Sequence, residues 1–352
     1  MQEIDLGGKI VAPGFLELQT NGLLGFHFTH YEDDEQYQSQ LRRVSKYLIT
    51  KGVTGFWATV PTVSTDTFQK ILPSLRPQNF ENAADLLGAH TEGPYLAPSK
   101  KGAHDESLFH TPETCSAETV YGADNLQSSV KLVTLSPELP GALALVHSLC
   151  TDHDIRVSLG HSAADFETGA AGLEKGATAL THVFNAMNPL HHRIPGLVGL
   201  VASPLAPYYS VIPDGIHLHA ATLAMAYRAN PKKCILITDS IELAGLPDGV
   251  HPGHSQIPYS QRKIGNKVTI DGTETLIGSC SSLDECVRNL VNWARCGLAE
   301  AVRCVTENVV GLMGDSQRGV LESGRRADFV VLSDEGDVLQ TWVRGRKVYP
   351  RP

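Results

Sequence analysis

The sequence predicts an α/β protein, a (β/α)8 barrel of the TIM type, with a small and incomplete β-sandwich domain formed by the two termini. Three observations carry that expectation. Short apolar, β-branched runs recur along the chain, helical periodicity separates them, and a strand-rich tail follows the last. The runs fall at 15–19, 53–60, 86–90, 131–135, 156–159, 177–181, 208–212 and 234–238. Eight parallel strands close a barrel. Between them, 34–51 sets Leu41, Val44 and Leu48 on one helical face, and 140–152 does so with Leu143, Val146 and Leu149. Past the eighth run, 282–296 and 298–310 read as helices and 328–332 and 338–348 as strands, with a turn-rich joint over 319–328. The expected division is a barrel over 11–313 and a β domain built from 1–10 and 314–352.

Composition narrows the function classes. The 352 residues suffice for one barrel and a small appendage. A hydrophobic share of 42% with 19% charged residues is the balance of a soluble globular chain. The net charge of -9, without concentrated basic patches, argues against nucleic acid and for a small-molecule partner. Cysteines number 7, an odd count without CxxC pairs, and read as reduced thiols of a cytoplasmic protein. Neither a charged-then-apolar leader nor a run of about 20 apolar residues occurs, so no membrane partner is expected.

Polar residues of metal-binding type stand where the apolar runs end. Glu92 follows the third run, His161 the fifth, His182 the sixth, His217 the seventh and Asp239 the eighth. In a (β/α)8 barrel these ends open on one face, so distant residues converge there. Glu92, His161 and His182 make a His2Glu metal set that leaves a coordination position for water. Such an ion brings the pKa of water towards about 7. Asp239 is then suited to carry the water's proton to a leaving amine. Each residue also has a plainer reading: a histidine is more often a surface or core residue, Glu92 lies in the loop signal His90-Thr91-Glu92-Gly93-Pro94, and Asp239 is equally a helix N-cap.

Several longer motifs, in order, resemble those of the N-acetylglucosamine-6-phosphate deacetylases, a family of the amidohydrolase superfamily. They are Val11-Ala12-Pro13-Gly14-Phe15, His90-Thr91-Glu92-Gly93-Pro94, Lys101-Gly102-Ala103-His104, Ser158-Leu159-Gly160-His161-Ser162, Thr181-His182-Val183-Phe184-Asn185-Ala186-Met187, Asp214-Gly215-Ile216-His217 and Thr238-Asp239. The resemblance spans nearly the whole chain. It implies hydrolysis of N-acetyl-D-glucosamine 6-phosphate to D-glucosamine 6-phosphate and acetate. It implies Glu92, His161 and His182 as ligands of one divalent ion per subunit, zinc first, with cobalt, iron or manganese as alternatives. It also implies Asp239 as acid/base and His104 as the group that polarises the acetamide carbonyl, although a histidine in Gly102-Ala103-His104-Asp105 also reads as a solvated loop residue. Ala103, Asn185, Ala186, Arg193 and His217 match substrate-binding positions, Arg193 and His217 being suited to the 6-phosphate. Taken alone, Arg193 in His191-His192-Arg193-Ile194-Pro195-Gly196 reads as an exposed basic loop residue. Leu276, Ile277 and Gly278 match a loop that packs against the sugar, and the family implies a homodimer.

The chain departs from the family pattern at several points. Gln19-Thr20-Asn21 stands where many superfamily members carry His-x-His for a second metal; amides are poorer ligands than imidazole, which favours one ion. Glu17 replaces a more usual aspartate nearby. The barrel begins almost at once, so part of the terminal sandwich is expected to be missing, with sheet edges exposed. Glu307-Asn308-Val309-Val310 lacks a common Asn-Pro-Ala, with a structural effect expected. Two other functions stay open: a truncated sugar-phosphate binder without turnover, and an amidohydrolase acting on a cyclic amide. The acid/base Asp239 argues against the first; the phosphate-side residues and the absent His-x-His argue against the second.

Overall fold

The computed structural model describes residues 5–254 and 257–350. Residues 1–4 and 351–352 of the expected terminal β domain lie outside the described residues.

Eight strands form one sheet in which neighbours follow chain order: β1 (Phe15–Thr20), β2 (Val53–Pro61), β3 (Asp85–Glu92), β4 (Val130–Leu135), β5 (Arg156–Leu159), β6 (Ala179–Leu180), β7 (Tyr208–Val211) and β8 (Cys234–Leu236). Every pairing is parallel. Parallel strands are covered on both faces, which explains why β1 is buried along its whole length and β2 at all but its last residue. The sheet curls until its outer strands meet. Thr20 bridges Ser240, the Asn21 N–H donates to Ser240 O at 2.7 Å, and the Asp239 N–H donates to Gln19 O at 3.0 Å.

Further upstream, β1 and β8 do not pair directly. The Leu16 N–H donates to Val305 O at 2.9 Å and the Leu236 N–H to Cys304 O at 3.0 Å. This seam explains a departure from expectation. The stretch 298–310 is not one helix but two, Leu298–Arg303 and Glu307–Met313. The chain leaves the helix at 304–306 to supply carbonyls to the two edge strands, and Asn308 Nδ2 ties the second helix to Cys234 O at 2.7 Å. Elsewhere local signals hold: Asp33 caps α1 (Asp34–Leu48) by accepting from the Gln36 N–H, the helix buries Tyr37, Leu41, Val44 and Leu48, and Gly52 at φ 79° ends the 3-10 turn that follows.

Two four-stranded antiparallel sheets flank this core. One, of Gly249–His251, Gln261–Ile264, Lys267–Ile270 and Leu276–Ser279, follows β8 and was not expected. Its signal is the Gly265-Asn266 pair between alternating residues, a two-residue hairpin. The other joins the two ends of the chain: Ile10–Pro13 pairs with Phe329–Leu332, which continues into Val338–Val343 and Arg346–Pro350. Among the described residues this terminal unit is a single sheet rather than a sandwich. The expected strand 338–348 is a hairpin, because Arg344 and Gly345 take φ of 53° and 72°, as a primed turn requires.

The terminal sheet is fastened to the barrel by a buried carboxylate. Asp85, at the start of β3, accepts from Arg318 at 3.0 Å and from Arg344 at 2.9 Å, and also pairs with Arg326. Removing one partner of a buried ion network strands the others without compensation. Asp85→Ala is therefore expected to lower unfolding stability by about 3–5 kcal/mol in urea titrations; a loss below about 1 kcal/mol would show the guanidinium groups to be solvated.

Candidate active site

The strand ends deliver polar residues to one face. β3 runs to Glu92 itself, while His161, His182 and Asp239 lie just past β5, β6 and β8. At those three positions φ is 48°, 29° and 46°, the left-handed region that side-chain-bearing residues avoid. Such conformations cost on the order of 1–3 kcal/mol and cluster at functional sites. Neighbours hold them. Ser136 Oγ donates to His161 O at 2.6 Å, and the His182 N–H donates to Ser210 Oγ at 2.8 Å. Glu138 accepts from Ser162 Oγ and the Ala163 N–H, both at 2.7 Å.

Glu92 Oε1 lies 2.9 Å from His182 Nε2 and 3.4 Å from His161 Nε2, and the two ring nitrogens are 3.1 Å apart. Bonds of about 2.0–2.2 Å in a tetrahedral zinc site put ligand atoms roughly 3.3–3.6 Å from each other, so the triangle needs little widening to take an ion. His161 Nδ1–H donates to Lys100 O at 2.9 Å, which leaves Nε2 with its lone pair. These donors fit a divalent metal of the zinc type. Burial acts to raise the Glu92 carboxyl, but hydrogen bonds and charge from His161 and His182 outweigh it and hold the group well below the carboxylate range. For His182, burial is likewise overcome, by Glu92, and the imidazole is raised.

Asp239 is the opposite case. Burial, then the Glu92 charge, raises its carboxyl against the opposing influence of His182, His217 and Asn21. Gln19 Nε2 stands between the two acids, donating to Glu92 Oε1 at 2.9 Å and to Asp239 Oδ1 at 3.3 Å. Asn21 Nδ2 donates to the same Asp239 oxygen at 2.8 Å. The amides in place of His-x-His thus act as donors to both carboxylates. Glu17, beneath them, accepts from the backbone of Gln19 and Thr238, and burial pushes it up to about 8, protonated at neutral pH.

His104 approaches from the loop after β3, its Nε2 3.7 Å from Glu92 Oε2. The Thr62 backbone N–H, which can only donate, lies 3.3 Å from His104 Nδ1, and the Thr62 hydroxyl 3.0 Å. Nδ1 therefore accepts and the proton sits on Nε2. Burial, aided by the His161 charge, drives this imidazole down to about 3, so it is neutral at working pH. His217 is fixed differently: Nδ1–H donates to Asp214 Oδ2 at 2.6 Å, and Asp214 Oδ1 takes the N–H groups of Ile216 and His217.

Other expected residues stand further out. Asn185 and Ala186 adjoin His182: Asn185 Nδ2 donates to His182 O at 3.3 Å, and Ala186 O accepts from the Ser162 N–H at 3.0 Å. Ala103 is exposed in the His104 loop. Arg193 is also exposed, its Nε 3.1 Å from His192 Nε2, and no described hydrogen bond or ion pair joins it to the Glu92 cluster. Leu276, Ile277 and Gly278 were expected in a loop but form a strand of the insertion. Ile277 packs with Ile241, Leu243 and Val268, so its side chain serves the insertion's own core. Gly278, at φ 132°, lies so close to Ile241 that a Cβ would come within 2.5 Å of it. Ser136, Glu138 and Ser210 were not anticipated. The first two follow β4, the same strand-end position that marked the others.

The sequence profile of the amidohydrolase family matches residues 10–348. The N-acetylglucosamine-6-phosphate deacetylase of Caenorhabditis elegans is 39% identical over 99% of this chain and 84% of its own length. The human protein of the same name is 35% identical, over 98% of this chain and 85% of its own. A variant of the Mycobacterium smegmatis N-acetyl-D-glucosamine-6-phosphate deacetylase, solved in complex with N-acetyl-D-glucosamine 6-phosphate, superposes with a TM-score of 0.85 at 26% identity, covering 99% of this chain and 89% of that one. With such likeness in sequence and fold, this chain belongs to the amidohydrolase family, among its N-acetylglucosamine-6-phosphate deacetylases.

Proposed function

We propose that this protein hydrolyses N-acetyl-D-glucosamine 6-phosphate to D-glucosamine 6-phosphate and acetate. The observation that carries the reading is the convergence of Glu92 Oε1, His161 Nε2 and His182 Nε2 within 3.4 Å, with the raised carboxyl of Asp239 joined to Glu92 through Gln19. Glu92, His161 and His182 hold one divalent ion, zinc first. Bound there, the ion supplies a water of lowered pKa and polarises the amide carbonyl.

Asp239 takes the proton of the attacking water and returns it to the departing amine. His104, neutral and protonated on Nε2, donates to the acetamide oxygen as negative charge develops on it. His217 and Arg193 meet the phosphate, Arg193 through its planar fork. Asn185, Ala186, Ala103 and the strand edge at Leu276–Gly278 border the sugar. Ile277 contributes there by fixing the strand. The exposed placement of Arg193, beside the exposed Leu190 and Ile194, supports a homodimer in which this loop reaches a neighbouring subunit. We assign 11–313 to a closed (β/α)8 barrel and the two ends to a terminal β domain. Seven free cysteines support a cytoplasmic location, and among the described residues no helix is long and apolar enough to cross a membrane.

Acetate release from N-acetyl-D-glucosamine 6-phosphate, followed before and after chelation with metal content counted in parallel, tests the whole assignment. Turnover that survives complete metal removal would overturn it. Asp239→Asn should abolish deacetylation while bound metal is retained; unchanged turnover would remove the residue from proton transfer. Arg193→Ala should raise KM, and more so for the phosphorylated sugar than for N-acetylglucosamine. Equal losses on both substrates would detach Arg193 from the phosphate.

A further inference from the structure

A second set of imidazoles surrounds another buried carboxylate, apart from the Glu92 site. Glu242 lies in the segment after β8, His27 ends the small hairpin Gly22–Leu23/Phe26–His27 after β1, and His254 belongs to the antiparallel insertion. Their ligand atoms all lie within 4.8 Å of one another. His254 Nε2 is 3.5 Å from Glu242 Oε1, about the edge of a tetrahedron with zinc-ligand bonds of roughly 2.1 Å.

His30 brings a fourth imidazole, its ring centroid 5.5 Å from that of His27 and 4.7 Å from that of His254. Two buried atoms here, Glu242 Oε2 and His30 Nε2, have no hydrogen-bond partner among the described residues. Buried polar groups left so are uncommon and ask for an absent water or ion. The other Glu242 oxygen accepts from Gln261 Nε2 at 2.8 Å, which fixes the carboxylate.

We infer that His27, Glu242 and His254, with His30 as fourth ligand, form a second divalent metal site of the zinc type, separate from the catalytic ion. Four protein ligands close the coordination sphere, as in structural rather than catalytic zinc sites. Ligation of His27 through Nε2 makes its 2.6 Å contact with Thr29 an Nδ1–H···Oγ1 bond, at the expense of the 3.3 Å approach of the Thr29 N–H. The ion pins the insertion to the segments that leave β1 and β8. That placement bears on the active site, because the insertion strand ending at Ser279 lies along Asp239 and Ile241: the Ser279 N–H reaches Asp239 O at 3.4 Å and the Ile241 N–H donates to Ser279 O at 3.0 Å.

The test counts metal on the full-length chain, stripped with chelator, reloaded with zinc and measured by mass spectrometry. Wild type should take up two ions per chain. His182→Ala should keep one, at the second site, and Glu242→Gln/His254→Ala should keep one, at the first. Zinc should raise the melting temperature of the His182→Ala protein, and should not do so once Glu242→Gln/His254→Ala is added. His27→Gln, a milder change, should also lower the count to one, with circular dichroism reporting that the chain is folded. His182→Ala binding no ion, or the Glu242→Gln/His254→Ala and His27→Gln variants binding as many ions as wild type, would each overturn the site. Because His182→Ala reads the second site alone, its outcome does not depend on the catalytic assignment.

Discussion

The seam between the first and last strands is the constraint on which the site depends. Backbone hydrogen bonds from Asn21 to Ser240 and from Asp239 to Gln19 lock the two strands at the open face. Glu17, Gln19 and Asn21 alternate along β1 and its exit, so one register fixes all three. Slipping it by one residue would put Thr20 where Gln19 now separates Glu92 from Asp239. The break at 304–306 serves the same end from below, since carbonyls of Cys304 and Val305 occupy N–H groups that an open seam would leave bare.

Within that frame the two acids are set apart by their surroundings. Glu92 is buried and Asp239 half-buried, yet Glu92 is held low by two imidazoles while Asp239 is pushed up by desolvation and by Glu92 itself. Carboxyls driven in opposite directions are suited to different tasks, one to hold a cation and the other to exchange protons. The histidines divide by hydrogen bonding. His161 gives its Nδ1 proton to a carbonyl and keeps a lone pair at Nε2, whereas His104 accepts at Nδ1 and keeps a proton at Nε2.

Much of this was legible in the sequence because the signals are local. Eight apolar runs mark the eight strands, and Glu92, His161, His182 and Asp239 could be placed by the single rule that sites lie at or just past strand ends. The same rule, applied to β4, would have reached Ser136 and Glu138. Other features depend on contacts between distant segments. The helix break at 304–306 answers to Leu16 and Leu236, and no periodicity within 298–310 reveals it. The insertion after β8 alternates in pattern and carries a Gly265-Asn266 turn, but its strands are short and its core rests on Ile241 and Leu243 outside them. The two-residue turn at Arg344-Gly345 hid inside an apparently continuous strand because arginine seldom takes positive φ.

The left-handed backbone at His161, His182 and Asp239 has a consequence for how the molecule tolerates change. These positions combine partial or full burial, unfavourable torsion and adjacent charge, so the chain is locally frustrated where its polar groups converge. Glycine would relax the torsion at each of them, by about 1 kcal/mol or more, but would remove the imidazole or carboxylate that each contributes. Selection for a more stable chain, acting alone, would therefore erode this face first, and the rest of the fold supplies the excess stability that keeps it in place.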